Sequence, residues 1–422
     1  MAKTKMSYLS RMNLEDILAV MLVMAALFAY INHRLIKWPP AIGIMILSLG
    51  FSMLLVFLRG FNITWLNRIG TMAADIDFRS LLMNFLLSFL LFAGAVHVDG
   101  QKLKKERLPV TVLALFGTVI SAILVGVLTW LLFSWASYPV PLIYCLIFGT
   151  VISPTDPVAV LSILREARIP VSLELKIAGE SLFNDGVGVV LFVTMTEAAR
   201  SGTFSWGNFS LLFLQEAVGG MAYGALLGYL GFVLLRSVND YKVEVLLTLA
   251  LVAGGYGLAS HLHISGPLAM VVAGLITGNK SRREGLSEAS WDYLGKFWEL
   301  IDEILNAILF LLVGFEMLVL KIEPVVLLIG LAGIVIMLLS RWVSVAVPVA
   351  LLRRKVRFER HAVSILTWGG LKGGLSIALA LSLSTGMYRE VFVVMTYIIV
   401  VFSILVQGLS IGPLTRRLLK RH

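Results

Sequence analysis

Apolar segments long enough to cross a bilayer recur along almost the whole chain, and they fix the solvent in which it can fold. Each runs to about 20 residues, the length of helix that spans a hydrocarbon core of about 30 Å. Of 422 residues 59% are hydrophobic and only 14% are charged, whereas soluble chains carry about 25% charged residues. No soluble interior could hide that much apolar surface, so lipid surrounds most of the chain. The sequence therefore predicts an all-α polytopic membrane protein. About 13 transmembrane helices are expected, at about 14–32, 40–58, 80–98, 109–135, 140–164, 173–199, 209–235, 243–262, 265–278, 297–318, 324–351, 361–385 and 390–411. The first apolar stretch, after MAKTKMSYLSRMNLED, is expected to be a retained span and not a removed signal. No soluble domain is expected between spans, and LTRRLLKRH is too short to form one.

A formal net charge of +10 would suggest nucleic acid in a soluble chain. Here the basic residues lie in short loops, where they set orientation and meet anionic lipid heads, so no nucleic-acid partner is expected. With the C-terminus cytoplasmic and the N-terminus on the opposite side, about 24 of the 35 Lys and Arg fall in cytoplasmic loops and about 9 outside. That bias fits a plasma (inner) membrane protein. It also leaves Arg341 and Lys372 as the basic residues expected inside spans. A charge at membrane depth is costly unless paired or hydrated, so both are functional candidates. The acidic counterparts are Asp156, Glu180 and Asp185. Glu299, Asp302 and Glu303 are expected nearer a span end, lining a cytoplasmic funnel or capping a helix. Cys145 is the single cysteine, which excludes an intrachain disulfide. His261 and His263 read as loop polarity.

Two spans carry helix breakers at their centres. Span five reads FGTVISPTDPVAVL, with Pro154 and Pro157 bracketing Thr155 and Asp156. Each proline removes a backbone donor and clashes with the preceding turn, so the helix should open there. Span twelve reads LTWGGLKGGLSIAL, where Gly369, Gly370, Gly373 and Gly374 weaken the helix around Lys372. The two lie seven spans apart and so run in opposite directions. This predicts two six-helix halves of inverted topology, about 14–199 and 243–411, joined by a linker span at about 209–235. A crossed pair of broken helices in such halves marks a transporter's binding site. The ion-translocating core is expected from about 109–199 and 324–411.

Span six reads LKIAGESLFNDGVGVVLF. At about 100° per residue, Glu180 and Asn184 lie about 40° apart on the helix, as do Ser181 and Asp185. A polar stripe in mid-membrane must face a cavity or another polar surface. Hard cations want carboxylate, hydroxyl, amide and carbonyl oxygens, and Asp185, Ser181, Asn184, Thr155 and the opened backbone at Asp156 supply that set. Asp156 can also serve as a helix cap, and Thr155 as a partner for a freed carbonyl. Arg341 in LLSRWVSVAVPV needs an anion, either Glu180 or Asp185. If Glu180 takes it, Asp185 is left to bind a proton or a cation in competition.

Four motifs now stand in order: TDP at 155–157, GESLFNDG at 179–186, SRWVSV around Arg341, and WGGLKGG at 368–374. In this order and spacing the chain resembles the monovalent cation:proton antiporter family of bacterial sodium/proton antiporters and animal sodium/proton exchangers. The resemblance implies exchange of Na⁺ or Li⁺ for H⁺ by alternating access, with no cofactor and no enzymatic activity. It implies that Asp185 carries the proton and the cation, with Ser181, Thr155 and the Asp156 backbone as further ligands. Glu180 and Arg341 would form a buried structural ion pair that Asn184 contacts. It also implies a homodimer, built from a dimerisation domain beside a moving core. An asparagine before the aspartate, Asn184-Asp185, implies electroneutral one-for-one exchange. Lys372 departs from the pattern, which usually has arginine in that glycine-rich segment.

Other classes fit less well. K⁺/H⁺ exchange would use the same mechanism. An intramembrane aspartyl protease would also present two membrane aspartates, but the sequence lacks GxGD and sets Asp156 between prolines. A metalloprotease would need HExxH, which is absent. A channel has no need of paired broken helices around a titratable acid.

Overall fold

A computed structural model describes residues 14–38, 40–59, 86–156, 160–161, 164, 169–201, 206–319 and 324–419. Pro157, expected to help open span five, lies outside them, as does Lys321. The described residues contain helices and connections but no strand. In chain order the helices are α1 (Leu14–Ile31), α2 (Pro40–Arg59), α3 (Leu87–Val96), α4 (Arg107–Trp135), α5 (Leu142–Ile152), α6 (Val171–Ser201) and α7 (Trp206–Arg236). They continue with α8 (Tyr241–His261), α9 (Gly266–Lys280), α10 (Glu288–Val319), α11 (Pro324–Leu352), α12 (Ala362–Trp368), α13 (Gly374–Leu381) and α14 (Arg389–Leu419).

Seven of these helices, within α1, α4, α6, α7, α8, α11 and α14, are long and apolar enough to cross a membrane. Other expected spans fall on shorter pieces. In span five α5 ends at Ile152, a break divides span twelve into α12 and α13, and the first turns of α10 carry Glu288, Asp292, Lys296 and Glu299. Large apolar side chains stand exposed along one face of α11, at Leu328, Leu331, Val335, Leu339 and Trp342. In water such a stripe would drive aggregation. In lipid it is solvated, and the protein is an integral membrane protein.

The helices pack around two sets of neighbours, which contacts of α6 with α7 and α9 and of α10 with α13 join together. In one, α4 lies against α5 and α11, α5 against α6, and α14 against α11 and α13. In the other, α9 joins α3, α7 and α8, while α10 lies against α1, α2 and α3. Close approach depends on glycine at two places. A Cβ at Gly149 on α5 would stand 2.0 Å from the Ala122 carbonyl oxygen of α4. One at Gly278 on α9 would stand 2.3 Å from the carbonyl oxygen of Val96 on α3. Small residues let backbones touch where hydrophobic burial gives no driving force between helices.

The breaks after α5 and between α12 and α13 meet in the first group. Opened backbone inside a membrane must find partners, and several of the freed groups here have them. Asp156 N–H donates to the Leu371 carbonyl at 2.8 Å, joining the two breaks directly. Lys372 N–H donates to Ser403 Oγ at 2.8 Å, and Gln407 Nε2 donates to the Trp368 carbonyl at 3.2 Å. Ser403 and Gln407 both belong to a π-helical stretch of α14, Ser403–Gly408. That local widening turns both side chains toward the unwound segment.

Candidate functional site

The Lys372 ammonium, fully buried, donates to the carbonyl oxygens of Ser153 and Pro154 at 3.0 and 2.9 Å. Those carbonyls close the C-terminal end of α5, the negative end of its dipole, where a cation belongs. The converse holds at the N-terminus of α13. There a Cβ at Gly373 would fall 2.2 Å from Asp156 Oδ2, so the carboxylate lies against the positive end of that helix. The two half-helices thus meet end to end with opposite charges at the crossing. The Asp156 side chain lies at the start of the opposite broken helix, α13.

Thr155 is the hub beside the crossing. Its N–H donates to Asn184 Oδ1 at 3.2 Å, and its hydroxyl accepts from Asn184 Nδ2 at 2.8 Å. The same hydroxyl shares a hydrogen bond with Ser181 Oγ at 3.0 Å. All three side chains are buried. Both ends of the Asn184 amide therefore engage Thr155, not the ion pair that the resemblance led us to expect.

Arg341 and Glu180 meet as a bidentate pair, Nη1 to Oε1 at 2.5 Å and Nη2 to Oε2 at 3.0 Å. Nη2 also donates to the Leu366 carbonyl at 3.2 Å. A Cβ at Gly370 would stand 2.4 Å from Arg341 Nε, so the glycine leaves the guanidinium room to lie flat. Of the two anions open to Arg341, Glu180 takes it. Asp185, one turn on, is left to a different environment.

That environment is a cavity of about 80 Å³, whose polar lining includes Thr155, Asp156, Asp185 and Ser376 on one wall. The opposite wall belongs to α3 and α10, with Leu87, Leu91, Gly94, Asp302, Asn306 and Leu309. The space lies between the two packing groups and brings carboxylates from both to one volume. Such a volume can hold a small cation or a few waters. No three His, Cys, Asp or Glu side chains among the described residues converge closely enough to hold a metal ion as one cluster.

Sequence reasoning grouped Asp302 with Glu299 and Glu303 near a span end, and it passed over Lys176. Asp302 lines this cavity, while Glu299 and Glu303 on the same helix are exposed. Lys176 is fully buried in α6, with Nζ 3.3 Å from both Glu106 Oε2 and Glu359 Oε2. The positions of the acids along α10 could have separated Asp302 from its neighbours. Nothing local marks Lys176.

A family model described as the transmembrane sodium/hydrogen exchanger matches residues 22–417. The chain is 45% identical over 411 residues to the Na(+)/H(+) antiporter NhaP of Pseudomonas aeruginosa, covering 96% of each. It is 33% identical over 354 residues to the Na(+)/H(+) antiporter NhaH of Halobacillus dabanensis, covering 81% of this chain and 84% of that one. The fold is similar to that of the sodium proton antiporter MjNhaP1 from Methanocaldococcus jannaschii, with a TM-score of 0.75 and 19% identity over 96% of this chain and 98% of that one. A match across nearly the whole chain, from the first long helix to the last, carries the conclusion that the protein belongs to the sodium/hydrogen exchanger family.

Proposed function

We propose that the protein is a secondary antiporter that exchanges Na⁺ or Li⁺ for H⁺, with Asp185 as the group that carries both. The observation that carries this reading is Asp185 on a small membrane cavity beside Thr155, Ser181 and the Asp156 segment, with the one nearby guanidinium already held by Glu180. A carboxylate in that setting binds a proton or a hard cation, and each excludes the other. Thr155, Ser181, Asn184 and the backbone at Asp156 supply the further oxygens. Glu180 and Arg341 fix α6 against α11, and Lys372 neutralises the end of α5.

The finer reading follows the same frame. About 13 spans form two inverted halves, about 14–199 and 243–411, around a linker span at about 209–235. Their crossing breaks at 153–156 and 369–373 support that symmetry. The core, about 109–199 and 324–411, moves against the remainder to give alternating access, which the two packing groups support. The protein acts as a homodimer in the plasma membrane, with its C-terminus cytoplasmic. Asn184 does not titrate, so one carboxylate changes state and exchange is one-for-one.

The test is sodium-dependent proton release from everted vesicles, repeated with Li⁺ and K⁺. Asp185→Asn should abolish exchange while the protein remains folded in the membrane. Exchange above half the parental rate in that variant would remove Asp185 from its role.

A further inference from the structure

We propose that a second site, separate from the ion cavity, takes the headgroup of an anionic phospholipid between the α3–α4 connection and the ends of α7 and α9. The inference goes beyond the antiport reading and uses from it only the orientation that puts the basic loops in the cytoplasm.

The place is a cleft of about 930 Å³, within the range of sites that hold organic ligands, about 300–1000 Å³. One wall comes from Lys104 and Lys105 before α4, from Arg107 and Val110 in its first turn, and from Phe183 on α6. The other comes from Ala225 and Tyr229 on α7, from Leu275, Ile276 and Lys280 on α9, and from Arg283 just beyond it. Asn279 ties the walls together. Its Oδ1 accepts from the Gly100 N–H at 2.6 Å, and its Nδ2 donates to the Val98 carbonyl at 2.9 Å.

Charge decides what belongs there. Five basic side chains line the cleft against one acid, Glu284, an excess of four positive charges. The acids beside it are engaged elsewhere. Asp99 accepts from the Gln101 and Lys102 N–H groups, and Glu106 faces Lys176 and Ser172. Two of the basic groups are held by neutral partners. Lys280 Nζ lies 4.7 Å from the centre of the Tyr229 ring and 5.4 Å from that of Phe232. The Arg283 guanidinium lies 2.9 Å from the Gln101 side-chain amide. Rings and amides steady a cation without cancelling its charge. Among the described residues, no carboxylate stands within ion-pair distance of any of the five.

The order of polarity selects the ligand. Basic residues sit at helix ends, and apolar ones follow about a turn deeper on the same helices: Val110 after Arg107, Leu275 and Ile276 before Lys280. A phosphate at the basic rim with acyl chains along the apolar wall matches that order, whereas a free phosphate uses the rim alone. Basic pockets between helices at the cytoplasmic surface recognise phospholipid headgroups in this way. Because α4 and α6 pack in one set of neighbours and α7 and α9 in the other, a lipid held here bridges the two.

Native mass spectrometry of the full chain in neutral detergent, titrated with dioctanoyl phosphatidylglycerol, counts bound lipid directly. Each basic residue at such a surface is worth about fivefold in affinity. Removing two from either wall, as Lys104→Gln with Lys105→Gln or Lys280→Gln with Arg283→Gln, should weaken binding about 25-fold. All four side chains are exposed, so these changes leave the packed interior intact. Arg416→Gln with Arg417→Gln, two exposed charges at the end of α14, should change binding less than about twofold, because they lie outside the cleft. Dioctanoyl phosphatidylcholine, which has no net charge, and glycerol phosphate, which has no chains, should each bind at least about tenfold more weakly. A loss below about threefold in either wall variant, an equal loss in the Arg416 and Arg417 control, or equal binding of either comparison ligand would each overturn the proposal. Binding is read here without transport, so a parent protein lacking sodium-driven proton flux would overturn the antiport reading and leave this site standing.

Discussion

At the scale of single residues, the Glu180–Arg341 pair shows why charges in a membrane come in matched sets. The guanidinium fork meets both carboxylate oxygens at 2.5 and 3.0 Å and also reaches the Leu366 carbonyl. Removing one partner leaves the other buried and unpaired, at a cost of about 3–5 kcal/mol. Glu180→Gln and Arg341→Gln should each destabilise the detergent-solubilised protein by about that amount. The double variant should lose less than the sum, since neither charge is then orphaned. Additive losses in a double-mutant cycle would show that the pair is not coupled. Candidate residues were legible in the sequence where chemistry left few options. Asp185, Thr155, Ser181 and Arg341 stood out because polar atoms in a hydrocarbon setting demand partners. Lys176 did not, because it lies near a helix end, where a lysine ordinarily reaches water. Its burial depends on Glu106 and Glu359 arriving from distant connections, and no local pattern reports on those.

At the scale of elements, helix breaks were visible and their repair was not. Pro154 and the glycines flanking Lys372 announced where the chain would open. The sequence could not show that Ser403 and Gln407 would answer the freed groups, because their reach depends on a π-helical stretch of α14 without a proline or glycine at its start. Nor could Asp156 be placed against α13, since the register between two breaks more than two hundred residues apart is set only by packing. The close contact of α4 with α5 matters here because it fixes the half-helix that ends at the crossing. A Cβ at Gly149 would lie 2.0 Å from the Ala122 carbonyl oxygen and 2.9 Å from its carbon, both backbone atoms that cannot rotate away. Gly149→Ala should therefore destabilise by about 1–3 kcal/mol, the range for an overpacked core, and lower the melting temperature. A Gly50→Ala control, where nothing lies within 4 Å of the added carbon, should not. Equal melting temperatures for the two variants would show that α4 and α5 can separate without cost.

For the whole molecule, the two packing groups with a cavity between them turn a binding site into a question of charge movement. A membrane potential acts on carried charge with about 2.3 kcal/mol per elementary charge per 100 mV. On the antiport reading, the group made of α4, α5, α6 and α11 to α14 carries Asp185, Asp156, Lys372, Glu180 and Arg341 between the two sides. Arg341 and Glu180 are held to each other as a bidentate pair. Asn184 has no proton to exchange. Asp185 alone then alternates between a proton and one sodium ion, so the loaded core has the same net charge in both directions. Exchange should follow the sodium and proton gradients and ignore an imposed voltage. Purified protein in liposomes, with potassium and valinomycin setting the potential at fixed sodium and proton gradients, measures this directly. A sodium flux whose reversal gradient shifts with voltage would mean net charge moves in each cycle, and the single-carboxylate account of the core would then fail.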